Sequence, residues 1–156
     1  MKISKTTIIK APAALVFKTL MDVDLATKWV PYLESYEIIS ETENMIGSRY
    51  RSQINQNGMK YEQIAEIKSY IENQFIEWTA SCPYCDGVVE YFILPVSNTQ
   101  TEFTHISNCN YKGLMKIWSW LAKSKFQKIS EDQMDLIHKK FKACVEAEYQ
   151  LASSPD

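Results

Sequence analysis

Residues 35–111 alternate apolar and polar side chains with hardly a break, and the one long helical pattern of the chain comes after them. A period of two sends successive side chains to opposite faces of a strand, so this run predicts a sheet with one wet and one dry face. Turn residues divide it into strands. Asn57-Gly58 is the strongest signal, because both residues tolerate the positive backbone angles of a tight hairpin; it joins strands over 49–56 and 59–70. In the second of these Met59, Tyr61, Ala65 and Ile67 share one face, while Lys60, Glu62, Glu66 and Lys68 share the other. Strands over 75–81, 88–96 and 101–110 follow, separated by residues 82–87 and by Ser97-Asn98. Alternation leaves the facing of residues 75–80 open, since Phe75 and Trp78 fall on opposite sides. Connections this short join antiparallel neighbours, so the sheet is read as a meander.

The two ends of the chain supply the helices. A strand is expected over 3–9, and Pro12, whose missing donor suits a first helical turn, opens a helix that places Val16, Phe17, Leu20 and Met21 at core spacing and ends near Asp22. Asp24 is read as the cap of a second short helix over 25–33, with Trp29 in its middle. Ser130-Glu131-Asp132-Gln133 matches a capping box, which starts the terminal helix near Glu131. Its stripe of Met134, Ile137, Phe141, Cys144 and Val145 is apolar, with Asp135, Lys139, Lys142 and Glu146 opposite. Such a helix docks on a sheet. The fold class is therefore α+β, and one helix cannot fill the concave side of a curved antiparallel sheet, so the interior is expected to be hollow and largely apolar.

A length of 156 residues with 46% apolar content suits one domain, taken as residues 1–151 with a tail over 152–156. A formal net charge of −2 excludes the basic balance that nucleic-acid binding requires, so no nucleic-acid partner is expected. The first residues carry no hydrophobic stretch of signal-peptide length, and no run is long enough to span a bilayer. A cytoplasmic location is the expectation, with Cys82, Cys85, Cys109 and Cys144 as free thiols.

Taken in order, Ile8-Ile9-Lys10-Ala11-Pro12-Ala13-Ala14-Leu15-Val16-Phe17, Asp22, Trp29, Gly47-Ser48, Ile76-Glu77-Trp78, Val89-Glu90-Tyr91 and Thr101-Glu102-Phe103-Thr104-His105, followed by an amphipathic helix, form a pattern. It resembles the START-like (SRPBCC) superfamily and, within it, the polyketide cyclase/dehydrase and lipid-transport family, over nearly the whole chain. The resemblance implies a helix-grip fold, a seven-stranded antiparallel sheet wrapped around the terminal helix with two short helices at one end. It implies no universal catalytic residue, since most members resemble binders or carriers of hydrophobic ligands. Fold alone does not assign function.

Trp29 and Trp78 are wide apolar rings with one polar handle each, suited either to core packing or to stacking on a ligand. His105 shares a strand face with Phe103, Ser107 and Cys109; in an apolar cavity it would be neutral, able to orient a ligand or move a proton, and it is the one catalytic candidate. His138 is expected on a partly solvated flank of the terminal helix. The cavity wall is expected to comprise Trp29, Tyr61, Trp78, Tyr91, Phe103, His105, Trp118, Met134 and Phe141.

Cys82-Pro83-Tyr84-Cys85 has the spacing of a redox dithiol, but that chemistry needs a helix after the first cysteine and a strand follows instead. Zinc on Cys82, Cys85, His105 and Cys109 has non-standard spacing, and no metal or cofactor is expected. Residues 112–130 hold Leu114, Met115, Ile117, Trp118, Trp120, Leu121 and Phe126 with Lys112, Lys116, Lys123, Lys125 and Lys128, and no Asp or Glu. The segment is read as a lid packed over the cavity mouth, with transient contact to an anionic membrane surface as its other use.

Three activities fit this pattern: a carrier of a hydrophobic small molecule, lipid-like or aromatic; a cyclase/dehydrase-type enzyme with His105 as acid/base; and a protein-interaction module with a filled interior.

Overall fold

The computed structural model describes residues 1–154, and its strands form one antiparallel sheet. The elements run β1 (Lys2–Ile9), α1 (Ala13–Met21), α2 (Val23–Trp29), β2 (Leu33–Ser40), β3 (Arg49–Gln56), β4 (Met59–Ile71), β5 (Phe75–Ser81), β6 (Cys85–Ser97), β7 (Gln100–Tyr111), α3 (Gly113–Leu121) and α4 (Lys123–Ser153). The spatial order β1-β7-β6-β5-β4-β3-β2 is a meander of six strands with β1 returned to pair with β7. Asn57 at φ 55° and Gly58 at φ 83° form the β3–β4 hairpin as their residue types require.

The helix boundaries differ from the sequence reading in two places. Asp22, not Asp24, caps α2: its Oδ1 accepts from the Asp24 N–H at 2.9 Å and the Leu25 N–H at 3.1 Å. The chain turns back into strand at Leu33, so Trp29 is the last residue of α2 rather than its middle. Asp22→Ala should therefore cost about 1 kcal/mol and lower the melting temperature by about 2–4 °C, while Asp24→Ala changes it by less than half as much; paired thermal melts decide between the two caps.

The second difference is larger. Ser130 does not cap a helix; its hydroxyl donates to the Phe126 carbonyl at 2.9 Å from inside α4, which starts at Lys123 and runs for 31 residues. Ala152 and Ser153, expected in the tail, continue that helix, and the last two residues of the expected tail lie outside the described residues.

α4 lies in the grip of the sheet. Its Phe141 and Val145 are fully buried with Ile9, Val16, Ile67, Ile76 and Phe103, and this core fills the end of the concave face nearest α1 and α2. Phe75, whose facing alternation left open, lies on the outer face against Phe92 with ring centroids 4.8 Å apart, which turns Ile76 and Trp78 inward.

Candidate functional site

Along each central strand the inward positions pass from core to open space. On β7, Phe103 is core, then His105, Ser107, Cys109 and Tyr111 border a cavity; on β6, Ile93 is core, then Tyr91, Val89, Gly87 and Cys85 border it. β4 repeats the pattern, with Ile67 in the core and Ala65, Gln63, Tyr61 and Met59 at the cavity. The two-residue period of the strands thus builds both the packed and the hollow half of the interior. α4 closes the cavity with Ser130, Gln133, Met134 and Ile137. The cavity is partly open to solvent and its volume is about 360 Å³.

Rings form much of its wall and continue behind it, where Tyr50 and His138 are buried. Tyr36 stacks on Tyr50 at 5.5 Å, and Tyr50 meets Trp78 edge-on at 5.1 Å. A second series runs through Tyr91 and His105 at 4.5 Å and on to His138 at 5.6 Å, where the two imidazole planes are 6° apart. Burial pushes Tyr32 up to about 12 and raises Tyr36, Tyr61 and Tyr91 as well, so these phenols stay protonated at neutral pH and serve as neutral donors.

His105 is buried, and that burial, with a smaller contribution from His138, pushes its pKa down to about 3. It is a neutral imidazole whose Nδ1 has no hydrogen-bond partner. His138 is not the half-solvated flank residue expected from its place on the helix: it is 2% exposed, and Thr7 Oγ1 lies 2.8 Å from its Nδ1. Burial and the nearby Lys5 ammonium push its pKa down to about 4.

Three buried polar atoms of cavity-wall residues lack partners: the indole Nε1 of Trp29, the indole Nε1 of Trp78 and Nδ1 of His105. A buried polar atom left unpaired costs about 1–3 kcal/mol; each of these three is sealed from water, so a ligand oxygen reaches it only when its ring turns toward the cavity.

Of the nine wall residues named from the sequence, Trp29, Tyr61, Trp78, Tyr91, His105 and Met134 border the cavity. Phe103 and Phe141 lie behind it in the core, in contact at 4.7 Å. Trp118 is elsewhere, 60% exposed on α3. Nor does α3 pack as a lid: none of its residues is buried, and only Met115 reaches the cavity. Tyr32, Tyr36, Tyr84 and Tyr111, which the sequence reading did not name, join the wall. Tyr111 was in reach, since it continues the Phe103, His105, Cys109 alternation; Tyr32 lies between elements, where no period applies.

Cys82 and Cys85 close the β5–β6 hairpin with their sulfurs 3.6 Å apart, and both border the cavity with Cys109. Burial raises the Cys82 thiol, and the hydrogen bond between Cys85 and Cys109 raises Cys85 while lowering Cys109. The first cysteine of the motif is therefore held as a thiol, the opposite of what a dithiol oxidoreductase needs. Among the described residues no group of three or more His, Cys, Asp or Glu is arranged to hold a metal ion.

The model of the polyketide cyclase / dehydrase and lipid transport family matches residues 9–102, from the end of β1 to the start of β7. The chain belongs to this family. Its fold is that of START-like proteins: a START superfamily protein from Mycobacterium smegmatis superposes with a TM-score of 0.77 at 17% identity, over 94% of this chain and 97% of that one. The Zhui aromatase/cyclase from Streptomyces sp. R1128 superposes with a TM-score of 0.84 at 15% identity, over 99% of both chains. A protein from Thermus thermophilus does so at 0.81 and 17% identity, over 99% of this chain and all of the other. No curated protein matches the chain. Among the described residues no helix is long and apolar enough to cross a membrane.

Proposed function

We propose that the cavity of this polyketide cyclase/dehydrase family member binds a small, apolar, oxygen-bearing molecule, aromatic or lipid-like. The observation that carries this reading is an unfilled cavity whose wall holds aromatic rings, three of its residues, Trp29, Trp78 and His105, each keeping a polar atom without a partner that a turn of the ring would bring to a ligand. Rings supply flat apolar contact; the indole donors and the neutral imidazole supply orientation. A volume of about 360 Å³ is at the small end of ligand pockets, a size for roughly two or three fused rings or a short chain and not for a whole phospholipid. That the space is open weighs against the interaction-module reading, which needs ordinary packing density inside.

Native mass spectrometry of the intact protein should reveal a retained small molecule, and added ligand should raise the melting temperature by mass action on the folded state. 2-Naphthol should bind more tightly than naphthalene, and Trp78→Phe, which keeps a ring but deletes the donor, should weaken 2-naphthol by up to about tenfold while leaving naphthalene unchanged. Equal affinities for the two compounds in both proteins would remove the role given to the unpaired donors. A panel of such compounds that shifts nothing would remove the binding reading.

A second reading, a cyclase/dehydrase-type enzyme, has one observation in its favour: His105 is uncharged, with Nδ1 unengaged and its ring beside Tyr91. A neutral imidazole is a competent base and a phenol such as Tyr91 is a competent donor to a carbonyl, whereas Tyr61 already donates to Gln56 Oε1 at 3.1 Å and would have to release it. His105→Gln separates the readings. A carrier keeps its affinity within a few-fold, whereas an enzyme loses turnover with binding retained.

A further inference from the structure

α3 is built inside out. Leu114, Ile117, Trp118 and Leu121 recur at three- and four-residue spacing, and all are exposed, with Trp118 at 60% and the flanking Trp120 at 76%. The half-buried positions that face the protein are Met115 and Ser119. A surface helix of a globular protein turns its apolar arc to the core, so an arc turned to water needs another partner.

Charge selects that partner. Residues 112–130 carry five lysines and no acid, a charge of +5 within a chain of net −2, which leaves −7 for the remainder. Lys112 pairs with Asp86 and Lys128 with Asp132, and among the described residues Lys116, Lys123 and Lys125 have no acidic partner. A second copy of the chain fits this surface poorly, because a two-fold interface sets a patch against itself and would oppose lysine to lysine. An anionic lipid surface fits both parts, receiving the apolar arc below its headgroups and the ammonium groups among them. Tryptophan, apolar in body and polar at one edge, suits that depth.

We propose that α3 and the first turns of α4 dock this protein on anionic membranes, with Leu114, Ile117, Trp118 and Trp120 inserted and Lys116, Lys123 and Lys125 at the headgroups. Met115 lies on the helix that docks and also borders the cavity, as do Tyr111 and Ser130 on either side of it, so the docked face adjoins the cavity wall. The edge-on contact of Tyr111 with Phe126, 5.3 Å between centroids, ties the start of α4 to β7 and keeps the two together. An apolar ligand dissolves in the bilayer far better than in water, so docking brings the site to where its ligand is concentrated; this last point rests on the proposed ligand class, and the docking itself does not.

The test uses the full chain with vesicles of phosphatidylcholine, with and without phosphatidylserine, at low and high salt. Co-sedimentation is expected only with phosphatidylserine present, weakening as salt rises, with a blue shift of tryptophan emission on binding. Lys116→Glu with Lys125→Glu should weaken binding at least tenfold, since each lysine near such a surface is worth about fivefold. Trp118→Ser with Trp120→Ser should remove the blue shift. All four residues are exposed, so these variants should keep the melting temperature and the 2-naphthol affinity of the parent. No sedimentation, equal sedimentation with phosphatidylcholine alone, or a concentration-dependent dimer with buried tryptophans overturns the proposal. Naphthol binding without vesicle binding rejects the docking alone; vesicle binding without naphthol binding rejects the cavity reading alone.

Discussion

Phe141→Ala is expected to destabilise the protein by about 3–5 kcal/mol, a fifth or more of the stability of an ordinary domain. The ring is fully buried where α4 meets the sheet, edge-on to Trp29 at 4.9 Å and against Phe103 at 4.7 Å. It thus joins three parts of the molecule, α2, α4 and β7, at one point. Truncation removes the transfer free energy of a phenyl group and leaves a hole that these neighbours cannot close, because Trp29 ends a short helix and Phe103 is set by a ladder paired on both sides. A fall in melting temperature of about 6–20 °C follows from that range, and urea unfolding should show a lower midpoint with an unchanged slope. Phe141→Leu, which keeps most of the volume, should cost less than half as much. A loss under about 1 kcal/mol for the alanine variant would mean that α4 is not gripped at this position.

How much of this arrangement was legible depended on whether a local rule had a competitor. The Asn57-Gly58 hairpin had none, since few other pairs accept two successive positive φ angles, and it is where alternation and punctuation placed it. Phe141, Ile137 and Val145 were legible for the same reason: the helical period leaves one stripe for the core. Ser130 had a competitor. A serine hydroxyl that can cap a free N–H can equally bond back to a carbonyl four residues earlier, and tertiary packing of Tyr111 on Phe126 extends the helix past the apparent cap. His138 lay at the margin of the apolar stripe, and only β1, remote in sequence, decides that it is buried, by bringing Thr7 to its Nδ1. For Trp118 the pattern was correct and its direction was not: periodicity shows that a helix has an apolar face, never which way that face points. The cavity itself was legible as a deficit of filling elements, but its polar demands arise from unpaired atoms that no sequence pattern records.

Lowering the pH from 7 to 4.5 should weaken the fold steeply, through the same buried imidazoles. In the unfolded chain histidine takes up its proton near its ordinary value of about 6.5. In the folded protein His105 is pushed down to about 3 and His138 to about 4. Depressed folded values mean that below about pH 6.5 the unfolded state binds protons the native state refuses, so stability falls with pH and goes on falling until the native groups themselves titrate. For His105 the loss by pH 4.5 amounts to about 2–3 kcal/mol, and His138 adds to it in the same direction. The groups around the pair do not cancel this. Asp135 favours the protonated form of His138, but the Lys5 ammonium opposes it more strongly. The carboxyls of Glu34, Glu66 and Asp86, each held low by a lysine, are exposed or, for Glu66, partly exposed and titrate only in more acid solution. Urea unfolding at pH 7 and pH 4.5 measures the difference. His105→Phe should flatten the dependence by about the share given to His105, and His138→Gln, which can keep a bond to Thr7, should flatten it further. Stability that holds constant from pH 7 to 4.5 would mean that water reaches both rings and that the cavity wall beside them is open, in which case Nδ1 of His105 would not await a ligand at all.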